Sequence, residues 1–168
     1  MTTGDRNRKA YAAQIEALKI PRGALGDLVQ TILESNGAVR FSAPGMSMLP
    51  FIRDQDVLTL YPLEGRQPSW GDVVAFIHPQ LGTLVVHRLV GRRGALFKIK
   101  GDNARSIDLV PQEMILGRVT QVERNGKLIR LGLGAERRWI AWLSALGLLM
   151  PLARLAAVFF RLFRAGKQ

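Results

Sequence analysis

Apolar residues fall at Leu25, Leu28, Val29, Ile32 and Leu33, the three- and four-residue steps of one helical face, and Asn36-Gly37 follows as a stop signal. The spacing predicts a helix over residues 23–35. From there the period drops to two. Val39 and Phe41 flank Arg40 as a short strand. Val57–Tyr61, Gly71–Ile77, Thr83–Val90, Ala95–Lys100 and Gly117–Val122 are further short runs rich in β-branched residues, separated by turn formers. Asn125-Gly126, between Val122-Glu123-Arg124 and Leu128-Ile129-Arg130, is a two-residue hairpin signal. About six or seven strands with no helix-length segments alternating between them predict a mainly β fold, coiled and mostly antiparallel. Ahead of the helix, Met1–Pro21 carries Asp5, Arg6, Arg8 and Lys9, has no apolar run resembling a signal peptide or a spanning helix, and is expected to be a loose arm.

The pattern changes again near residue 137. Trp139–Phe160 holds Arg154 as its only charge, and as one helix it would extend about 33 Å, enough for the hydrocarbon core of a bilayer. Pro151 interrupts the backbone ladder, and inserting Arg154 costs roughly 2.5–3.5 kcal/mol. Arg154 and Arg161 share a helical face, with Trp139, Trp142, Phe159 and Phe163 placed to sit at an interface. Residues 139–164 are therefore expected to associate with a membrane, either as a carboxy-terminal crossing or as a kinked helix lying in the interface; packing on the β-domain or on a dimer partner is the structural alternative. The chain divides into an arm and helix (1–37), a β-domain (38–136) and a basic, apolar helical tail (137–168).

Composition narrows the chemistry. A chain of 168 residues fits one domain with a short appendage. Its formal charge is +11, and from Arg137 onward there are six basic residues and no acidic one. Those basic residues stand among Leu, Ala, Phe and Trp, which favours an anionic membrane surface; no nucleic-acid partner is expected. With no cysteine there is no thiolate nucleophile, disulfide or thiolate zinc site, and two histidines do not make a closed structural metal site. No metal or cofactor is expected.

The segment Ala43-Pro44-Gly45-Met46-Ser47-Met48-Leu49-Pro50 stands out. Two prolines remove backbone donors and prevent it from continuing as a helix or a central strand, so it is expected to be an ordered turn presenting Ser47. Met46 and Met48, with Leu49 and Phe51, supply adaptable apolar surface for a bound peptide. His87 ends a run of apolar residues and, in a buried strand, needs a partner. Asp102 lies in the glycine turn Lys100-Gly101-Asp102-Asn103, and Asp108 follows six residues later; by default one is a turn former and the other a cap or a solvated charge. His78, beside Pro79, is expected to be solvated. A serine needs a base to attack an amide, and a histidine base needs an anion to hold its tautomer; all three types occur here at strand ends and turns of one domain.

In order and approximate spacing, Gly45–Pro50, Gly71–Phe76, Val86–Val90 and Lys100–Asn103 resemble the four sequence boxes of type I signal peptidases. The resemblance covers about residues 39–124 and looks closest to the eukaryotic and archaeal branch, in which histidine stands where most bacterial enzymes have lysine. It implies a β-rich serine endopeptidase with Ser47 as nucleophile, His87 as general base, Asp108 as the acidic partner and Asp102 as a supporting carboxylate. It also implies a peptide or precursor-protein substrate with small residues before the cut, bound as an added strand. Gly45 departs from the family pattern by replacing a serine whose hydroxyl helps stabilise the oxyanion. Gly-Met-Ser-Met is also similar to the nucleophile turn of the self-cleaving SOS-repressor peptidases, which use a lysine base that position 87 lacks. The expected fold is thus a coiled antiparallel β-domain of the signal-peptidase and SOS-repressor-peptidase type, with an N-terminal helix and a C-terminal apolar helical segment. The expected function is a membrane-associated serine endopeptidase; the rival reading is a non-catalytic or self-processing peptide-binding module on the same fold.

Overall fold

A computed structural model of the chain describes residues 12–15 and 22–165. The order of elements is β1 (Ala12–Ile15), α1 (Arg22–Glu34), β2 (Ala38–Ala43), β3 (Asp56–Pro62), β4 (Val73–Ile77), β5 (Leu84–Arg93), β6 (Leu96–Lys100), β7 (Asp108–Val110), β8 (Ile115–Arg124), β9 (Lys127–Ile129), α2 (Arg137–Ala145) and α3 (Leu149–Ala165). The described strands form one sheet in the order β1-β2-β3-β8-β4-β5-β6-β7, with β9 paired to β8. All pairings are antiparallel except β1 on β2, which is parallel. A mainly antiparallel β fold with an N-terminal helix and helices at the C-terminal end is therefore established. The arm expected over Met1–Pro21 lies outside the described residues except for Ala12–Ile15, which are a strand and not a loose segment.

Alternation along β4 shows how the sheet coils around two cores. Val73 and Ala75 join Val29, Leu33, Val39, Phe41, Leu58, Leu60, Val119 and Val122 in one cluster. The intervening Val74 and Phe76 join Leu89, Phe97, Ile99, Val110 and Ile115 in another. A strand covered on both faces reads as a continuous apolar run, as 73–77 does. Register shifts at Thr59/Leu60, Ala75/Phe76 and Leu89/Gly91 interrupt the ladders and bend the sheet between the clusters. The α1 helix ends where its sequence says it should: Asn36 takes φ 58° and the Gly37 amide donates to the Ile32 carbonyl at 3.0 Å, closing the last turn. Asn125 and Gly126 also take positive φ, 50° and 73°, as a two-residue hairpin requires.

The tail is two helices. The chain bends by 111° between α2 and α3, and among the described residues no single helix is long and apolar enough to cross a membrane. The break falls at Leu146–Leu148, where Gly147 takes φ 71°, and not at Pro151. Pro151 sits in the first turn of α3, where a missing amide costs little. A boundary at residue 136 cuts through a packed surface. Ile140, Ala141 and Ser144 of α2 are buried, Lys100 Nζ donates to the Ser144 carbonyl at 2.6 Å, and Trp70 Nε1 donates to the Arg138 carbonyl at 3.1 Å. One face of α2 thus packs on the domain while Trp139 and Trp142 stay exposed on the other, and α3 exposes Leu152, Leu155 and Phe159.

Candidate active site

Ser47 is exposed on a tight turn directly after β2, with the Ile52 amide donating to the Met48 carbonyl at 3.1 Å. Strand β2 aims the chain at this point, and the loop after β6 holds the turn from the other side. The Asn103 amide donates to the Ser47 carbonyl at 2.7 Å, and Asn103 Nδ2 donates to the Met46 carbonyl at 3.1 Å. Gly45 takes φ 106°, a region closed to most side chains, which explains glycine where the signal-peptidase pattern has serine. Its amide is already engaged with Asp54 Oδ1 at 2.7 Å, so that N–H is not available to a reacting oxygen.

His87 lies on β5 opposite Val74, and Asp108 opens β7 opposite Ile99, with β6 between the two strands. The imidazole reaches across because β6 ends at Lys100 and Gly101 follows without a side chain. A Cβ on Gly101 would stand 3.0 Å from His87 Nε2 and 2.7 Å from the Ser47 carbonyl oxygen. His87 Nδ1 meets Asp108 Oδ2 at 3.0 Å, and the ring turns Nε2 towards the Ser47 turn. A carboxylate accepting from Nδ1–H leaves the lone pair on Nε2, the form a general base needs. Burial lowers the His87 pKa below its ordinary value, and the charges of Asp108 and Asp102 oppose that shift only in part. Among the described residues no hydrogen bond joins the Ser47 hydroxyl to His87; such contacts often tighten only once substrate is bound.

Asp102 makes no hydrogen bond to His87 and acts on it only through its charge. It is fully buried against Arg88, which donates to it from Nε at 2.9 and 3.1 Å and from a terminal nitrogen at 2.7 Å. Arg88 also donates to the carbonyls of Gly71 and Gly132, tying together three loops around the site. Lys100, paired with Arg88 in register, points to that same side of the sheet and is capped by α2, so Lys100 does not stand in for the histidine. Burial lowers the Lys100 pKa, with Asp102 acting the other way.

Ser47, His87 and Asp108 line one cleft of about 840 Å³, whose apolar walls include Phe41, Ala43, Ile52, Leu84 and Val86. Of the four residues expected to contact a peptide, Met48 alone lines it, and its side chain is also part of the core. Met46 points to solvent at 65% exposure. Leu49 lies outside the lining, and Phe51 packs against the Arg88 guanidinium, 5.6 Å from its ring centre. Four residues within the six-residue span 46–51 of a tight turn cannot all face one groove.

His78 corrects the sequence reading more sharply. It is 17% exposed, not solvated, and its Nε2 lies 3.5 Å from Asp108 Oδ1. The signal was present: Val74 and Phe76 on β4 and His78 just after it keep one alternation, and the hairpin to β5 returns His87 to the same face.

Comparison with protein-family profiles and with curated proteins returns no match for this chain.

Proposed function

We propose that the protein is a membrane-associated serine endopeptidase of the signal-peptidase type, cleaving an extended peptide or precursor protein. The observation that carries this reading is His87, held by Asp108 on Nδ1 while Nε2 faces the Ser47 turn across Gly101. In the reaction, the Ser47 hydroxyl gives its proton to His87 Nε2 as its oxygen bonds to the scissile carbonyl carbon. The C–N bond then breaks, the leaving amine takes the proton from His87, and water activated by the same imidazole hydrolyses the acyl-enzyme. Substrate binds extended in the cleft beside Ser47, beyond the stretch of β2 that β1 pairs, with apolar side chains entering the cleft. Membrane contact is assigned to α2 and α3. Trp139, Trp142, Leu152, Leu155 and Phe159 are exposed on these helices and Leu146 on the turn between them, and the 111° bend suits a segment lying in the interface better than one crossing it.

Two observations favour the rival, non-catalytic or self-processing peptide-binding reading: the Ser47 hydroxyl is not hydrogen-bonded to His87, and β1 already occupies the edge of β2 from Ala38 to Phe41. The full-length protein in anionic vesicles, given precursor peptides with small residues before the cleavage site, separates the two. Cleavage lost in Ser47→Ala, together with labelling of Ser47 by a fluorophosphonate probe, supports the peptidase; unreactive wild type supports the binding module. Cleavage undiminished in Ser47→Ala overturns the assignment of the nucleophile.

A further inference from the structure

Asp108 lies between two imidazoles. Its Oδ2 is 3.0 Å from His87 Nδ1 and its Oδ1 is 3.5 Å from His78 Nε2, and the three side chains are only 13–17% exposed. The tautomer of His78 is set by its own turn. The backbone amides of Gln80 and Leu81 both point at Nδ1, at 3.2 and 3.3 Å. A proton on Nδ1 would face two N–H donors, so Nε2 carries it, 3.5 Å from Asp108 Oδ1. The turn is itself closed by the hairpin, with the His78 amide donating to the Thr83 carbonyl and the Gly82 amide to the His78 carbonyl, both at 2.9 Å. Buried Phe76 packs against both rings, with centroids 6.3 Å from His78 and 6.1 Å from His87.

We propose that His78 is a positioning residue, its Nε2–H facing Asp108 Oδ1 so that the carboxylate favours presenting Oδ2 to His87. This rests on the peptidase reading for its consequence, though not for its geometry. At 3.5 Å the contact is too long for a strong hydrogen bond. It acts as a fixed dipole that keeps the carboxylate in place and draws off part of its charge. The groups facing His87 are Asp108 on β7, Asp102 in the loop after β6 and His78 on the β4–β5 hairpin; the carboxylates favour the imidazolium and His78 opposes it. Removing His78 therefore leaves Asp108 freer to stabilise the charged ring.

The test is imidazole nitrogen NMR on the full-length protein, read alongside peptide cleavage. Wild type should show His78 as the Nε2–H tautomer and His87 as the Nδ1–H tautomer at neutral pH. In His78→Leu the His87 titration midpoint should rise by about 0.5 pH unit, a modest shift for a neighbouring dipole, and turnover should fall about tenfold with loss of orientation. His78→Gln, which can place an amide N–H near the Nε2 position, should keep the midpoint close to wild type, whereas His78→Asn, too short to reach, should behave like the leucine variant. An unchanged His87 midpoint in both Leu and Asn variants overturns the proposal. So does a wild-type spectrum with the His78 proton on Nδ1, which needs no variant to fold. Absence of cleavage by wild type counts against the peptidase reading alone, because the spectra decide the role of His78 without it.

Discussion

Gly101→Ala puts one methyl group at the most crowded point of the site. The new Cβ would lie 2.7 Å from the Ser47 carbonyl oxygen, 3.0 Å from Ala104 Cβ and 3.0 Å from His87 Nε2. Ordinary contact begins near 3.4 Å, so the chain must open by several tenths of an ångström. None of the three neighbours is the loose end of a flexible side chain. The Ser47 carbonyl is held by the Asn103 amide at 2.7 Å, and His87 by Asp108 at 3.0 Å. Relief must therefore move the Ser47 turn away from the loop, or turn the imidazole out of line. Overpacking of this kind costs about 1–3 kcal/mol, which for a domain of this size is a fall in Tm of roughly 2–12 °C. The effect on catalysis should be larger than the effect on stability, since misplacing a reacting group by about 1 Å can cost 10²-fold. Thermal denaturation and kcat/KM for a precursor peptide, measured on the same preparation, check both. A variant with wild-type kcat/KM would refute the claim that Ser47 and His87 meet across this glycine. One that loses stability and activity only in proportion would reduce Gly101 to a packing position.

Asp108→Asn should lower turnover by up to about 10⁴-fold with little loss of stability, because it removes the group that holds the His87 tautomer. Asp102→Asn should instead destabilise the fold by about 3–5 kcal/mol, since it leaves Arg88 buried without its counter-charge; finding the reverse pattern in denaturation and cleavage assays would exchange the roles of the two carboxylates. Peptide cleavage should rise with pH along a limb centred below the ordinary histidine value of about 6.5, because burial keeps His87 neutral. The same depressed pKa means that the stability tied to neutral His87 is complete above that value and is lost as pH falls from it towards the folded one, visible as a Tm that declines on acidification and declines less in His87→Gln. A chain ending at Gly147 should stay folded and bind anionic vesicles more weakly, whereas one ending at Glu136 should lose Tm as Lys100 loses its carbonyl partner. Equal Tm for both would show that α2 contributes nothing to the domain.

The sequence made the β-domain legible because its strands are short, β-branched and punctuated by turn residues whose positive φ is needed where they stand, as at Asn36 and Asn125. It was weaker where structure depends on pairing rather than period. Ala12–Ile15 has no alternation of its own and is a strand because β2 offers an edge beside it. Asp108–Val110 is too short to announce itself and exists by its ladder to β6. In the tail, composition described one long apolar segment, but Gly147 breaks it and the small Ala141 and Ser144 let α2 sink onto the domain.

The site followed the same division. Ser47, His87 and Asp108 could be named as chemistry because each type has a recognised task, but the choice of Asp108 over Asp102 as the histidine's partner came from the family resemblance and not from the residue types. Gly101 decides it. With no Cβ there, His87 passes the end of β6 and reaches the strand beyond, while Asp102, one residue later, is taken by Arg88 from the opposite side of β5. His87 and Arg88 are neighbours in sequence and point to opposite faces, so they cannot share one carboxylate; each face of the strand needs its own. The two aspartates six residues apart are the response to that alternation. One anchors the loop that grips the Ser47 turn, and the other orients the imidazole facing it, so buried charge and candidate catalytic charge are kept apart by the thickness of a single strand.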